Sequence, residues 1–270
     1  PCRKVVLVQN YSNIYEMLPF GVSWRSMGFF DMIATSQKQA NMVLDVFPYL
    51  NNRAHVIHPV LNEKCNFDAE KKPVINIIAR EQFDIARIVK PFYLKYPQYK
   101  WISFRDLRTI TTDVYASSLS DAAFTIWCDT QSDYGIPVLD AMKAGSVVLA
   151  KVPDVMPEWG EINGEHGKEL RSSVLWFQSI TDLPNIICNC MNSWLTDKLP
   201  ENIYKEMKNT VKDMTQDNFQ KEIEDTFISG FAKETLDNFE TILKNDAKNV
   251  SDELATDVAA APVENKETKE

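Results

Sequence analysis

The sequence predicts an α/β fold: a parallel sheet with helices on both faces. Short apolar runs alternate with helical patterns along most of the chain. The runs are apolar throughout rather than alternating, as strands covered on both faces are. Turn and cap residues separate them at spacings that leave room for crossover helices.

The first strand is "KVVLVQN", residues 4–10, rich in β-branched side chains. "FDMIATS", 30–36, is the second; Ser36 then suits the N-cap of a helix over "QKQANMVLDVFPYL" that stops near Pro48. "AHVIHPV", 54–60, is the third strand, and the polar stretch 62–72, "NEKCNFDAEKK", reads as a linker. The alternation restarts with "PVINIIA", 73–79, followed by a helix spaced on Ile85, Ile88, Val89, Phe92 and Tyr93, with Pro91 as a kink point. "YKWISF" is a strand, "TDVYASSL" a short helix and "AAFTIWC" a strand. "PVLDAMKAG" is a helix closed by Gly145, "SVVLAKV" and "SSVLWFQ" are strands, and Thr181 or Asp182 opens the helix "ITDLPNIICNCMNSWL". Residues 201–244 read as helices with breaks near Thr215 and Gly230, and 245–270 as a disordered acidic tail. The expected organisation is a partial layer over 1–61, the linker 62–72, a larger α/β domain over 73–200, the helices 201–244 and the tail.

The 270 residues carry a formal net charge of -9, which speaks against a broad basic footprint for nucleic acid. About -4 of it falls in the tail, where seven acidic and three basic residues follow residue 244. No apolar run reaches membrane-spanning length and no signal-peptide pattern is present, so a cytoplasmic protein is the expectation. The five cysteines, Cys2, Cys65, Cys128, Cys188 and Cys190, form no Cys-x-x-Cys pair, which fits a reducing compartment better than a disulfide framework. His55 and His58 lie in a strand pattern without acidic or sulfur neighbours, so neither a metal nor another cofactor is expected.

The densest stretch is "SDYGIPVLDAMKAGSVVLAK", 132–151. A strand end followed by a polar loop and a helix start near Pro137 is where open parallel sheets place ligands. Backbone N–H groups of Gly135, Ile136 and Val138 would face an anion there, Gly135 would admit it closely, and Asp140 could accept hydrogen bonds from sugar hydroxyls. The alternative is packing alone: Ser132 or Asp133 caps the helix, Asp140 complements its dipole, and the apolar residues fill the core.

This stretch resembles the donor-site signature of GT-B glycosyltransferases of the glycosyltransferase family 4 type, roughly E-G-F-G-L-P-x-L-E-A-M-A-x-G. Tyr134, Gly135, Ile136, Pro137, Leu139, Asp140, Ala141, Met142 and Gly145 fall in register. The likeness extends in order over about residues 4–243. It implies two Rossmann-like domains with a nucleotide-sugar held mostly by the second, and transfer of the sugar to an unspecified acceptor. It further implies that Arg80 neutralises the diphosphate and that Asp140 holds the ribose. Ser132 stands where the family has a sugar-contacting glutamate; Asp133 and Asp129 are close enough to substitute, although the register does not favour them, and Tyr134 follows in the same donor-site stretch. The lysine expected after Arg80 is missing, and Arg87 or Lys90 would have to serve. The family's first domain has several more strands than 1–61 supplies. The resemblance thus implies a fragment, or a minimal form whose acceptor side is reduced or completed by a partner chain or oligomer. A non-catalytic binding or structural protein that kept the fold is the alternative reading.

Overall fold

Two parallel sheets organise the computed structural model of the chain, which describes residues 4–11, 13–80, 82–161 and 170–232 together with Thr241 and Lys244. The tail, His166 and Cys2 lie outside the described residues. The chain forms two compact units, 1–220 and 221–270, and both sheets belong to the first.

The smaller sheet has the order β1-β2-β3, with β1 at Val5–Val8, β2 at Asp31–Ala34 and β3 at Ala54–Val56. A short helix, α1 (Asn13–Glu16), follows β1, and α2 (Gln37–Val46) connects β2 to β3. Ser36 caps α2 as its sequence position requires: its hydroxyl accepts from Gln39 N at 3.1 Å. The helix stops before Pro48.

The larger sheet has the order β5-β4-β6-β7-β8. Its strands are β4 (Lys72–Ile78), β5 (Ser103–Asp106), β6 (Ala122–Trp127), β7 (Val147–Lys151) and β8 (Val174–Phe177). β6 is buried over its whole length, the signature of a central parallel strand. The helices are α3 (Gln82–Lys95), α4 (Thr112–Asp121), α5 (Ile136–Lys143), α6 (Leu183–Leu195) and α7 (Ile203–Val211). α3 and α6 pack together on one face; α4, α5 and α7 pack together on the other. The core lies between these layers, built on Ile75, Ile77, Phe92, Phe124, Ile126, Met142 and Leu149. A last helix, α8 (Gln216–Glu224), is followed by a π-helix over Asp225–Ala232.

Two local expectations are corrected and one is met in part. The strand read in "YKWISF" begins only at Ser103, because Pro97–Tyr99 forms a 3-10 turn that delays it. Asp182 holds the N-cap position of α6, as one of the two expected openers, but its side chain makes no cap hydrogen bond; the Ser179 hydroxyl accepts from Thr181 N at 3.2 Å, and a 3-10 turn leads into the helix. Gly230 does not break its helix, which runs through it in the wider π form. Among the described residues no helix is long and apolar enough to cross a membrane.

Candidate functional site

β4 and β6 are hydrogen-bonded neighbours, yet the chain leaves their C-terminal ends in opposite directions. From β4 it passes into α3 on one face; from β6 it passes into α5 on the other. Such a switch point opens a crevice beyond the strand ends, the usual ligand position in open parallel sheets. Two charged residues stand there. Arg80 and Asp129 form a two-point ion pair, Nε to Oδ1 at 3.3 Å and Nη2 to Oδ2 at 3.1 Å. Asp129 Oδ1 also accepts from Gln131 N at 3.1 Å, which fixes the carboxylate within its own turn.

The loop then delivers the helix start where the sequence places it. Gly135, at φ 72° and ψ 43°, is the N-cap, Ile136 begins α5 and Pro137 lies in its first turn. The expected set of three free N–H groups is corrected. Gly135 N donates to Ser132 Oγ at 3.2 Å, and Val138 N donates back to Gly135 O at 2.9 Å. Ile136 N–H alone has no partner among the described residues. Ser132 thus acts on the turn rather than capping the helix, whose cap bears no side chain. Tyr134 is buried, and its carbonyl accepts the Trp159 indole N–H at 2.5 Å. A Cβ on Gly135 would lie 3.2 Å from Trp159 and 3.6 Å from Trp127, so the glycine serves packing as well as any ligand approach.

Asp133 turns toward the smaller sheet. Its Oδ2 accepts from Tyr11 N at 2.7 Å and from Gln39 Nε2 at 3.0 Å. Beside it, Lys38 at the start of α2 donates its backbone N–H to Glu158 at 3.0 Å and its ammonium to Met156 O at 2.7 Å and Glu161 at 2.9 Å. Tyr11, Lys38, Gln39, Glu158 and Glu161 were not legible as site residues. The one available signal was that the N–H of Lys38 is among the orphan donors of a capped helix start.

Asp140 is 5% exposed and faces inward. Its Oδ1 accepts from Asn62 N at 2.8 Å, Tyr115 hydrogen-bonds to it, and Lys143 beside it reaches Leu61 O at 3.3 Å. Burial raises its carboxyl above the usual range despite these partners. Burial, with the Asp140 charge as the next cause, lifts the nearby Cys65 thiol to about 12 and raises the Tyr115 hydroxyl. Asp140 therefore ties the segment after β3 to α5 and α4.

Arg87 and Lys90 are exposed on α3. Arg87 approaches Asp84 at 3.7 Å and lines an apolar groove with Pro91, Ile180 and Pro184. At 1.5 Å per residue Lys90 lies about 12 Å along the axis from the start of α3. The structure joins Arg80 to the β6–α5 loop and leaves Arg87 and Lys90 on the flank.

Solved structures share this architecture. The pneumococcal O-GlcNAc transferase GtfA, crystallised with UDP and GlcNAc, superposes at a TM-score of 0.53 with 8% identity, over 77% of this chain and 46% of that one. Anabaena HepE, in complex with UDP and glucose, gives 0.55 with 14% identity over 83% and 71%. TarM from S. aureus, in complex with UDP among other ligands, gives 0.53 with 11% identity over 82% and 50%. The fold is Rossmann-like, of the GT-B type. No protein-family model matches the chain, and no curated protein matches it in sequence. The chain spans about half the length of GtfA and TarM. Identities of 8–14% carry this GT-B likeness as fold alone, not as residue roles.

Proposed function

We propose that this chain binds a nucleotide-sugar at the β4/β6 switch point and belongs to a glycosyltransferase. The observation that carries the reading is the joint placement of Arg80, the Gly135 turn and the Ile136 N–H, which has no partner among the described residues, at the strand ends where the sheet's connections diverge. The glycosyltransferase-like fold supports it, and the UDP bound to GtfA and HepE makes UDP-sugars the first donors to test. In this reading Arg80 leaves Asp129 for the diphosphate. It then stabilises the charge that grows on the leaving oxygen as the bond to the anomeric carbon breaks and a bond to the acceptor oxygen forms. Ile136 N–H assists from the helix start, and Asp140 reaches the ribose by exchanging its contact with Asn62. Arg87 and Lys90 have no part in it.

Calorimetric titration with UDP, GDP and ADP, and with their nucleosides, tests the reading. A bound nucleoside diphosphate stabilises the native state by about 2.7 kcal/mol at a hundredfold excess over its dissociation constant. Arg80→Ala is expected to weaken the diphosphates and leave the nucleosides unchanged. Equal losses for both would make Arg80 structural. Ser132, which is spent on the turn where the resembling family has glutamate, favours a second reading, a binder without transfer. Release of free nucleoside diphosphate from a bound nucleotide-sugar separates the two.

A further inference from the structure

The arginine that this reading assigns to the diphosphate holds an anion that is part of the chain. Asp129 contacts Arg80 at 3.3 and 3.1 Å, with side chains 21% and 52% exposed respectively. An ion pair as accessible as this is weak, so a phosphate can exchange with it easily. Displacement does not remove the carboxylate, however, because the Gln131 N–H keeps Asp129 in its turn. A ligand on Arg80 therefore sits within a few ångströms of a fixed negative charge. The repulsion grows with the charge of the ligand. A free nucleoside diphosphate carries up to about one more negative charge than the same diphosphate esterified to a sugar, since its terminal phosphate loses a second proton near pH 6.

We propose that Asp129 is a charge gate on the Arg80 site: it disfavours the free nucleoside diphosphate more than the nucleotide-sugar, and so selects donor over product. The proposal rests on the donor-site reading and names a residue that acts on ligand charge through Arg80. The rival role on the same geometry has Asp129 orienting the guanidinium for the ligand. The two roles differ in sign: a gate weakens diphosphate binding, whereas an orienting partner strengthens it. The fixed like charge decides for the gate. Orientation of one already planar fork gains little, while a carboxylate beside a diphosphate opposes each added negative charge, by an amount that solvent and salt screen but do not reverse.

Asp129→Asn tests this, since asparagine keeps the Oδ1 acceptor for Gln131 N–H and removes the charge. Uridine, UDP-glucose and UDP are titrated into the wild-type chain, Asp129→Asn and Arg80→Ala, with the guanosine and adenosine series alongside. The gate requires that Asp129→Asn tighten UDP about tenfold, UDP-glucose about threefold and uridine not at all, and that both gains shrink at high salt. Asp129→Ser, which also keeps an oxygen, repeats the measurement if thermal melting shows that asparagine disturbs the turn. Should Asp129→Asn leave UDP unchanged or weaken it while Arg80→Ala weakens it, the gate is overturned and the donor site stands. Should no diphosphate in any series bind better than its nucleoside, the donor site falls and the gate with it.

Discussion

At Gly135 two demands coincide on one residue. Its φ of 72° lies in the left-handed region, and the space a Cβ would need is taken by Trp159 at 3.2 Å. Gly135→Ala is expected to cost about 1–2 kcal/mol, the strain of an L-residue at positive φ plus a displaced indole. Chemical denaturation measures it, and an unchanged midpoint would mean that the turn relaxes freely. Asp140 makes a pH-dependent case. Burial raises its carboxyl above the ordinary aspartate value of about 3.9, so the folded chain holds that proton more tightly than the unfolded chain. The stability this group contributes is therefore greatest at low pH and declines as pH rises through the folded-state titration. Asp140→Asn keeps an acceptor for Asn62 N–H but cannot ionise. Its stability relative to wild type should improve as pH rises above about 4, through the folded-state titration of the wild-type carboxyl. A constant difference would show that the carboxyl does not titrate in that window.

The C-terminal ends of α4 and α5 are joined by one lysine. Lys71 donates to Ser120 O and to Ala144 O, each at 2.5 Å, and burial lowers its ammonium to about 8. An unfolded lysine titrates near 10.4, so between about pH 8 and 10.4 the unfolded chain binds more protons and stability should rise with pH. Lys71→Met should flatten that rise; an equally steep rise in the variant would assign it to other groups. Next to it, Gly145 closes α5 at φ 75°, and a Cβ there would lie 2.6 Å from the Phe67 carbonyl. Gly145→Ala is expected to cost more than Gly135→Ala, about 2 kcal/mol or above, because backbone cannot swing aside as an indole can. Elements of this kind were legible. β6 reads as a continuous apolar run because both its faces are covered, and Ser36, Pro137 and Gly145 mark helix ends through local backbone chemistry. The delayed start of β5 and the π-helix through Gly230 were not legible, since neighbouring structure rather than local propensity sets them. In the site, Gly135 and the helix start showed in the sequence. The pairing of Arg80 with a residue 49 positions away did not, because no local pattern encodes a contact between two strand ends.

Across the first compact unit, polar bridges fasten the smaller sheet to the larger. Asp133 holds Tyr11 N and Gln39, and Lys38 holds Met156 O and Glu161 at a separation of 123 residues. The Lys38–Glu161 pair is the more consequential, because its side chains are 15% and 2% exposed. A pair this buried differs from the exposed Arg80–Asp129 pair in what its disruption does. Removing one partner strips the other of its main counter-charge where water cannot replace it, whereas removing both leaves no buried charge behind. Lys38→Met is accordingly expected to cost on the order of 3 kcal/mol, the lower end for a broken buried pair. Lys38→Met combined with Glu161→Gln should cost less than Lys38→Met alone, although it removes more polar contact. The coupling between the two positions, read from denaturant unfolding of the two single variants and the double variant, should exceed about 1.5 kcal/mol. Strictly additive costs would mean that the two side chains act separately, and the attachment of α2 to the segment after β7 would then rest on the Lys38 N–H and Glu158 instead.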